Sequence, residues 1–134
     1  MKKVFLDTNV VIDLLDKREP FYREAVSLFT LAYNKKITLY ISALTFATAS
    51  YLLRKHGKTE MRLLLDNLRK LSKITAIGEK EIDDALASTF DDYEDALQYY
   101  SALHKKVEAI ITRNKKDFNS SKIPVLTPTE FLNL

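Results

Sequence analysis

A carboxylate follows directly on the first apolar run of the sequence. Val4–Leu6 has the composition of a short buried strand, and Asp7 ends it before Thr8 and Asn9. A carboxylate that becomes buried is unfavourable by several kcal/mol unless another group compensates its charge. The compensating group expected here is a helix N-terminus, a basic side chain or a metal ion.

Two other aspartates stand in comparable places. Asp95 opens a later helical segment, and Asp117 follows a later apolar strand that ends at Thr112. Carboxylate oxygens without a histidine or cysteine nearby in the sequence suit hard cations such as Mg²⁺ or Mn²⁺. Such ions activate water and neutralise the charge that develops on a phosphoryl group. We therefore predict an acidic metal site at Asp7, Asp95 and Asp117, oriented by Asn9 and Thr112 through hydrogen bonds.

The segments that must position these residues alternate between strand and helix patterns. Strands are predicted at Lys3–Leu6, Ile37–Ser42, Ile74–Ile77, Glu108–Thr112 and Pro124–Leu126. Helices are predicted at Val10–Leu15, Pro20–Asn34, Leu44–Arg54, after Gly57, around Ile82–Phe90, at Asp92–His104 and after Thr127. This alternation predicts an α/β fold with a parallel sheet covered on both faces, which binds ligands at the carboxyl ends of its strands.

Composition limits the class of protein. The 134 residues suit one domain, 1–134, and 46% hydrophobic residues supply a core. The chain has no cysteine and a net charge of +3, so it forms no disulfide framework and is only mildly basic. We predict no signal peptide and no membrane span, and a reducing, cytoplasmic environment.

Four segments in order along the chain resemble the PIN-domain family: FLDTNV, ISALTFATASYLL, EDALQYYSAL and IITRNKKDF. The resemblance implies a ribonuclease H-like α/β fold, a three-layer sandwich with a central parallel sheet. It also implies an Mg²⁺- or Mn²⁺-dependent ribonuclease, since many members of the family are such enzymes and VapC-type toxins belong to it. Matched residue by residue, the carboxylates of the family site are Asp7, Asp95 and Asp117. Thr112 and Asn114 match the polar positions of the TRN segment.

One position departs from the family pattern. The helix after the second strand normally carries a glutamate, and Thr48 stands at that place in the Ala47-Thr48 pair. A threonine hydroxyl is neutral, so it cannot supply the missing charge. Glu94 neighbours Asp95, but adjacent residues of a helix do not share a face. We expect weakened metal affinity as a result, with Thr48 at most holding a water.

Each candidate residue also has a purely structural interpretation. Asp7 could cap a helix, Asp95 could be a solvated acid of a first helical turn, and Asp117 could be a turn residue. Arg113, Lys115 and Lys116 form a basic cluster that either meets an RNA backbone or is a solvated loop. In the pair Tyr99-Tyr100 we predict that Tyr100 lies in the core and Tyr99 is structural or at the surface. His56 and His104 have no partner at ligand spacing, so we assign neither to a metal.

Three alternative functions are consistent with these residues. The first is a metal-dependent endoribonuclease that hydrolyses RNA phosphodiester bonds, with a toxin role that implies an antitoxin partner and a homodimer. The second is a binding module of the same fold with impaired catalysis, motivated by Thr48. The third is a phosphatase of the haloacid dehalogenase type, which requires an aspartate two positions after Asp7, where this chain has Asn9.

Overall fold

A computed structural model describes residues 2–134 and centres on a five-stranded, fully parallel sheet. The strands are β1 (Lys3–Leu6), β2 (Thr38–Ser42), β3 (Ser72–Thr75), β4 (Ala109–Ile111) and β5 (Val125–Leu126). Their spatial order is β3-β2-β1-β4-β5, so β1 lies at the centre between β2 and β4. The chain leaves β1 toward one side of the sheet and later crosses to the other, which places a topological switch point at the carboxyl end of β1.

Seven helices connect and cover these strands. They are α1 (Thr8–Leu15), α2 (Tyr22–Tyr33), α3 (Ala43–Leu53), α4 (Lys58–Lys70), α5 (Glu79–Leu86), α6 (Tyr93–His104) and α7 (Pro128–Leu132). Two short 3₁₀ helices, Arg54–His56 and Lys115–Phe118, complete the described elements. The predicted start of the last helix is confirmed, because Thr127 caps α7 and Glu130 completes the capping box.

The core has two main parts, one on each face of the sheet. On β1, Val4 and Leu6 join the cluster that includes Leu28 of α2, whereas Phe5 joins the cluster that includes Tyr99 of α6. Side chains of alternate residues point to opposite faces of a strand, so this division follows directly from the apolar run of β1. The predicted three-layer α/β sandwich is confirmed.

Two details of the prediction were wrong. The third strand is Ser72–Thr75, two residues before the predicted Ile74–Ile77. Ser72 is a poor strand former, but its hydroxyl bonds to the carbonyl of Leu68 at 2.8 Å and it pairs with Leu39 in the ladder.

The buried face of α6 also differs from the prediction. Tyr99 is the buried tyrosine, at 3% exposure, and Tyr100 is only half-buried. The ring of Tyr99 lies 5.1 Å from that of Phe90, and its hydroxyl accepts a hydrogen bond from the amide of Lys122. This polar partner lets Tyr99 occupy the core, so its ring is not free to stack on a base. Across residues 2–134, no helix combines the length and apolar character that crossing a membrane requires.

Candidate active site

The site begins where two neighbouring central strands end. Asp7 follows β1 directly and Thr112 follows β4 directly, and the last residues of these strands, Leu6 and Ile111, are paired in register. The amide of Asp7 donates to the carbonyl of Ile111 at 2.9 Å, which extends the ladder by one bond. Residues from opposite ends of the chain therefore meet at the switch point.

Three donors hold the Asp7 carboxylate in one orientation. Its Oδ1 accepts a hydrogen bond from the amide of Thr8 at 2.8 Å. Its Oδ2 accepts from the Thr112 hydroxyl at 2.8 Å and from the Asn9 side-chain amide at 3.2 Å. Asp7 is thus the N-cap of α1, and its position at the strand edge leaves the metal role a prediction beside this capping role.

The charge of Asp7 is not fully compensated by these donors. Burial raises the pKa of the Asp7 carboxyl above its usual value, and the nearby Asp117 carboxylate raises it further, against the lowering by Thr112 and Thr8. No lysine or arginine in the part of the chain that the structure describes forms a salt bridge with Asp7. A buried carboxylate in this state is a favourable place for a cation.

Asp95 comes to the same place from the first turn of α6. Partial burial is the largest cause that raises the pKa of Asp95, and the carboxylates of Asp7, Asp92, Asp117 and Glu94 add to it, to give a value of about 7. Asp92 caps α6 by accepting from the amide of Asp95 at 2.9 Å. The three predicted carboxylates are close enough to repel one another, and this repulsion is what a divalent cation would relieve.

The acidic site lacks the closed arrangement of a preformed metal cage. Among residues 2–134, no three histidine or acidic side chains are placed to hold one ion together. Mg²⁺ fits such a site nevertheless, since it commonly binds one or two carboxylates and keeps several waters. Asp7 and Asp95 supply hard oxygen donors with excess negative charge, and Asp117 lies beside them.

Asp117 is held by the loop that follows β4. Its amide donates to the carbonyl of Asn114 at 3.1 Å in the 3₁₀ helix Lys115–Phe118, and the amide of Asn114 donates to the Thr112 hydroxyl at 3.1 Å. Phe118, 1% exposed, anchors the same turn in the core. Thr112 therefore connects the loop that carries Asp117 to Asp7 itself.

The three cations of this loop have different surroundings. The Arg113 guanidinium donates to both oxygens of the buried Asp13, at 2.6 and 3.3 Å, and lies 3.8 Å above the ring of Phe21. Lys115 pairs with the exposed Glu130 at 3.1 Å, and an exposed pair of this kind is weak. Lys116 is exposed without an ion pair within residues 2–134. The structure thus gives Arg113 an internal partner, while contact of these cations with RNA stays a prediction.

The same architecture recurs in known proteins. The sequence model described as the PIN domain matches residues 3–116, which is most of the chain. This chain belongs to the PIN-domain family. "Ribonuclease VapC1" of Aquifex aeolicus (strain VF5) is 30% identical over 135 residues, which cover 97% of this chain and 93% of that protein.

Solved structures share the overall fold of this chain. A chain of a toxin–antitoxin complex from Klebsiella pneumoniae superposes with a TM-score of 0.72 at 26% identity, over 93% of this chain and 97% of the other. A chain of VapBC2 from Rickettsia felis, solved bound to a DNA fragment from its promoter, gives a TM-score of 0.64 at 21% identity, over 92% and 96%. The second likeness concerns the fold alone.

The departure at Thr48 lies on α3, the helix whose Thr45 contacts Thr8. Thr48 is half-buried on α3, one turn after Thr45, and residues three apart lie on the same side of a helix. The hydroxyls of Thr45 and Thr8 are 2.7 Å apart, and Thr8 adjoins Asp7. Glu94 is exposed on α6 and acts on Asp95 by raising its pKa, rather than by replacing the acid missing at position 48.

A buried polar network behind the carboxylates was missed in the sequence. Gln98, 1% exposed, donates to the hydroxyls of Thr8 at 2.9 Å and Thr45 at 3.1 Å, and its carbonyl oxygen accepts from Ser42. It joins α6 to the ends of β1 and β2, and it contributes a small lowering of the pKa of Asp7. One feature of the sequence indicated this network: a glutamine lies one turn after Asp95, on a helix whose other buried residues are small or aromatic.

Proposed function

We propose that this chain is a VapC-type endoribonuclease that hydrolyses RNA phosphodiester bonds with Mg²⁺ or Mn²⁺. The observation that supports the proposal is the position of Asp95 beside Asp7 and Asp117, where partial burial and, after it, the neighbouring carboxylates raise the pKa of Asp95 to about 7. Family membership and the 30% identical relative named a ribonuclease support the same conclusion. The chain as a whole, 1–134, would then act as one PIN domain.

In this proposal Asp7, Asp95 and Asp117 would bind the divalent ion in part through water, since no three acidic side chains within residues 2–134 are placed to hold one ion directly. When bound, the ion supplies Lewis acidity to a phosphoryl oxygen and activates water. Thr112 and Asn9 keep Asp7 facing the ion, because their hydrogen bonds fix Oδ2. Asp95 must lose its proton to bind the cation, so its raised pKa couples metal binding to pH.

A toxin role would add a protein partner. Structures that superpose on this chain come from toxin–antitoxin complexes, so we propose that an antitoxin covers the acidic edge and blocks the carboxylates. We also propose that the chain pairs as a homodimer and acts in the cytoplasm, where its RNA substrate is found. Co-expression with the protein encoded beside it, followed by size-exclusion chromatography, tests both kinds of assembly.

The central test compares cleavage by two charge-matched variants. The purified protein should cut end-labelled RNA with Mn²⁺ or Mg²⁺ and stop in EDTA. Asp7→Asn should remove cleavage, whereas Asp66→Asn, an exposed α4 residue paired with Lys70, should keep it. Equal cleavage by Asp7→Asn and the unaltered protein would refute the assignment, and cleavage that persists in EDTA would identify a contaminating nuclease.

Thr48 favours a second candidate, a PIN-fold module that binds RNA or a protein without cutting. The neutral hydroxyl at the place of a family acid leaves three carboxylates where four are common, which lowers the charge available to a cation. Isothermal calorimetry separates the two candidates. No heat with millimolar Mn²⁺, together with retained RNA binding, would select the binding module over the enzyme.

A further inference from the structure

The edge of the sheet opposite the carboxylates is rich in lysine. Each of the five parallel strands is preceded or opened by at least one lysine, and parallel strands begin at the same edge. We call these residues the basic edge: Lys2, Lys3, Lys35, Lys36, Lys70, Lys73, Lys105, Lys106 and Lys122. Lysines outnumber acids at this end of the strands, where Glu108 directly precedes β4 and accepts from the amides of Lys2 and Lys3.

A cavity of about 1050 Å³ opens on this edge between the starts of β2 and β3. It is lined by Lys35, Arg69, Lys70, Lys73 and Lys105, and by no aspartate or glutamate within residues 2–134. Arg69 donates to the carbonyl of Ser72 and Lys70 pairs with Asp66. The remaining three, Lys35, Lys73 and Lys105, form no ion pair in the described part of the chain.

Two lysines of the basic edge have an unusual backbone conformation. Lys35 and Lys106 have φ values of +58° and +57°, in the left-handed region, just past the ends of α2 and α6. Glycine is the usual residue at this position because a side chain there is strained. A cation near a helix C-terminus is favourable, but that effect alone does not explain why lysine replaces glycine twice on one edge. Lys17 adopts the same conformation away from this edge, so the conformation alone assigns no function and the argument rests on the charges of the cavity.

The arrangement of charges suits a linear polyanion better than a small anion. Neighbouring strands lie about 4.8 Å apart, so the first and the last of the five strands are separated by roughly 19 Å. The lysines at the starts of the strands extend over the same distance. Nucleic acid carries a regular row of phosphates that such lysines neutralise. The ring of Tyr33, 74% exposed, lies in the wall of the cavity and offers a surface on which a base stacks.

We propose that the basic edge and its cavity bind single-stranded RNA, away from the carboxylates. The five residues of β2 separate the two edges by roughly 17 Å, so an RNA held at both must pass around the sheet. Its phosphates would lie on Lys35, Lys73 and Lys105, and one base would stack on Tyr33. The inference rests on the proposed function only for the choice of RNA as the polyanion.

RNA binding measured without divalent ions tests the basic edge separately from catalysis. Fluorescence anisotropy with a labelled single strand of about 20 nucleotides in EDTA gives affinity as a function of salt. For the triple variant Lys35→Gly, Lys73→Gln and Lys105→Gln, the slope of log K against log salt should fall by about 2. Tyr33→Ala should weaken binding about fivefold.

A matched control uses a third left-handed lysine. Lys17 has φ +48° and lines a separate, mainly apolar pocket. Both Lys35→Gly and Lys17→Gly should keep or raise the melting temperature, because glycine relieves the strain. Only Lys35→Gly should weaken RNA binding, so a loss of binding cannot be attributed to unfolding.

Two results would overturn the inference. One is an unchanged salt slope in the triple variant, which would place RNA binding elsewhere. The other is tighter binding of poly-glutamate than of RNA of equal charge, which would assign the basic edge to an acidic protein. Neither result depends on cleavage. If the protein binds RNA through these lysines but has no nuclease activity, the proposed function is refuted and the inference about the basic edge stands.

Discussion

Thr112 donates its hydroxyl proton to Oδ2 of Asp7 at 2.8 Å, although the two residues are 105 positions apart in the sequence. The same hydroxyl oxygen accepts from the amide of Asn114, so one side chain aligns β1, β4 and the loop before Asp117. Thr112 is fully buried, which protects this bond from exchange with water. The geometry of the acidic site therefore depends on a neutral residue that need not touch the metal.

Removing the hydroxyl should weaken metal binding without unfolding the chain. Thr112→Val keeps the shape of the side chain but leaves Oδ2 of Asp7 with only the longer bond from Asn9. A hydrogen bond to a charged group contributes about 1.5–3 kcal/mol, so the dissociation constant for Mn²⁺ should rise by about tenfold or more. Calorimetry measures this change, and Thr112→Ser, which keeps the hydroxyl, should bind nearly as the unaltered protein does. Equal affinities in the valine and serine variants would show that the bond does not orient Asp7.

The raised pKa of Asp95 predicts opposite effects of pH on the metal-free and metal-bound protein. In the unfolded chain this carboxyl has a pKa near 3.8 and in the folded protein about 7, so folding favours its protonated form. Its contribution to stability is therefore complete below about pH 4 and is lost progressively up to about pH 7. The melting temperature in EDTA should fall over this range, and Asp95→Asn should make that fall shallower.

Metal affinity should change in the other direction, because the cation binds the ionised carboxylate. One pH unit below a pKa of about 7 only about a tenth of Asp95 is ionised, so Mn²⁺ should bind roughly tenfold more weakly near pH 6 than near pH 8. Asp7, whose pKa is also raised, adds to the same trend. Titrations at several pH values measure the slope, and a pH-independent affinity would contradict the assignment of Asp95 as a ligand.

The elements around the site were predictable because they depend on local patterns. The strand before Asp7 and the helix after Thr127 depend on local patterns, and both elements lie where the sequence placed them. That three distant aspartates form one metal site was predicted from the parallel order of strands and from the family resemblance, and it stays a prediction. Gln98 and Asp13 were not predictable in this way, since each depends on partners brought together only by the folded chain.

Restoring an acid on α3 should strengthen the metal site. Thr48→Glu introduces a carboxylate one turn after Thr45, on the helix that contacts α1 near Asp7. A fourth acid raises the pKa of Asp95 further in the metal-free protein and should increase affinity for Mn²⁺ about tenfold, as typical of changes around a bound ion. Calorimetry compares it with Thr48→Gln, which has the same length without charge. If the glutamate and glutamine variants bind alike, Thr48 lies outside reach of the ion.

The pair formed by Arg113 and Asp13 should contribute to stability rather than to RNA binding. Asp13 is 1% exposed, and its carboxylate has the Arg113 guanidinium as its ion-pair partner, at 2.6 Å. Arg113→Met leaves that charge buried without its cation, so the free energy of unfolding should fall by roughly 3 kcal/mol, the low end of the range since Arg113 is 28% exposed. The double variant with Asp13→Leu should recover most of this loss, because apolar side chains replace a buried pair at little net cost. Urea denaturation measures the free energies of unfolding of the unaltered protein, Arg113→Met and the double variant. Wild-type stability in Arg113→Met, together with a loss of RNA affinity, would instead assign this arginine to the RNA backbone.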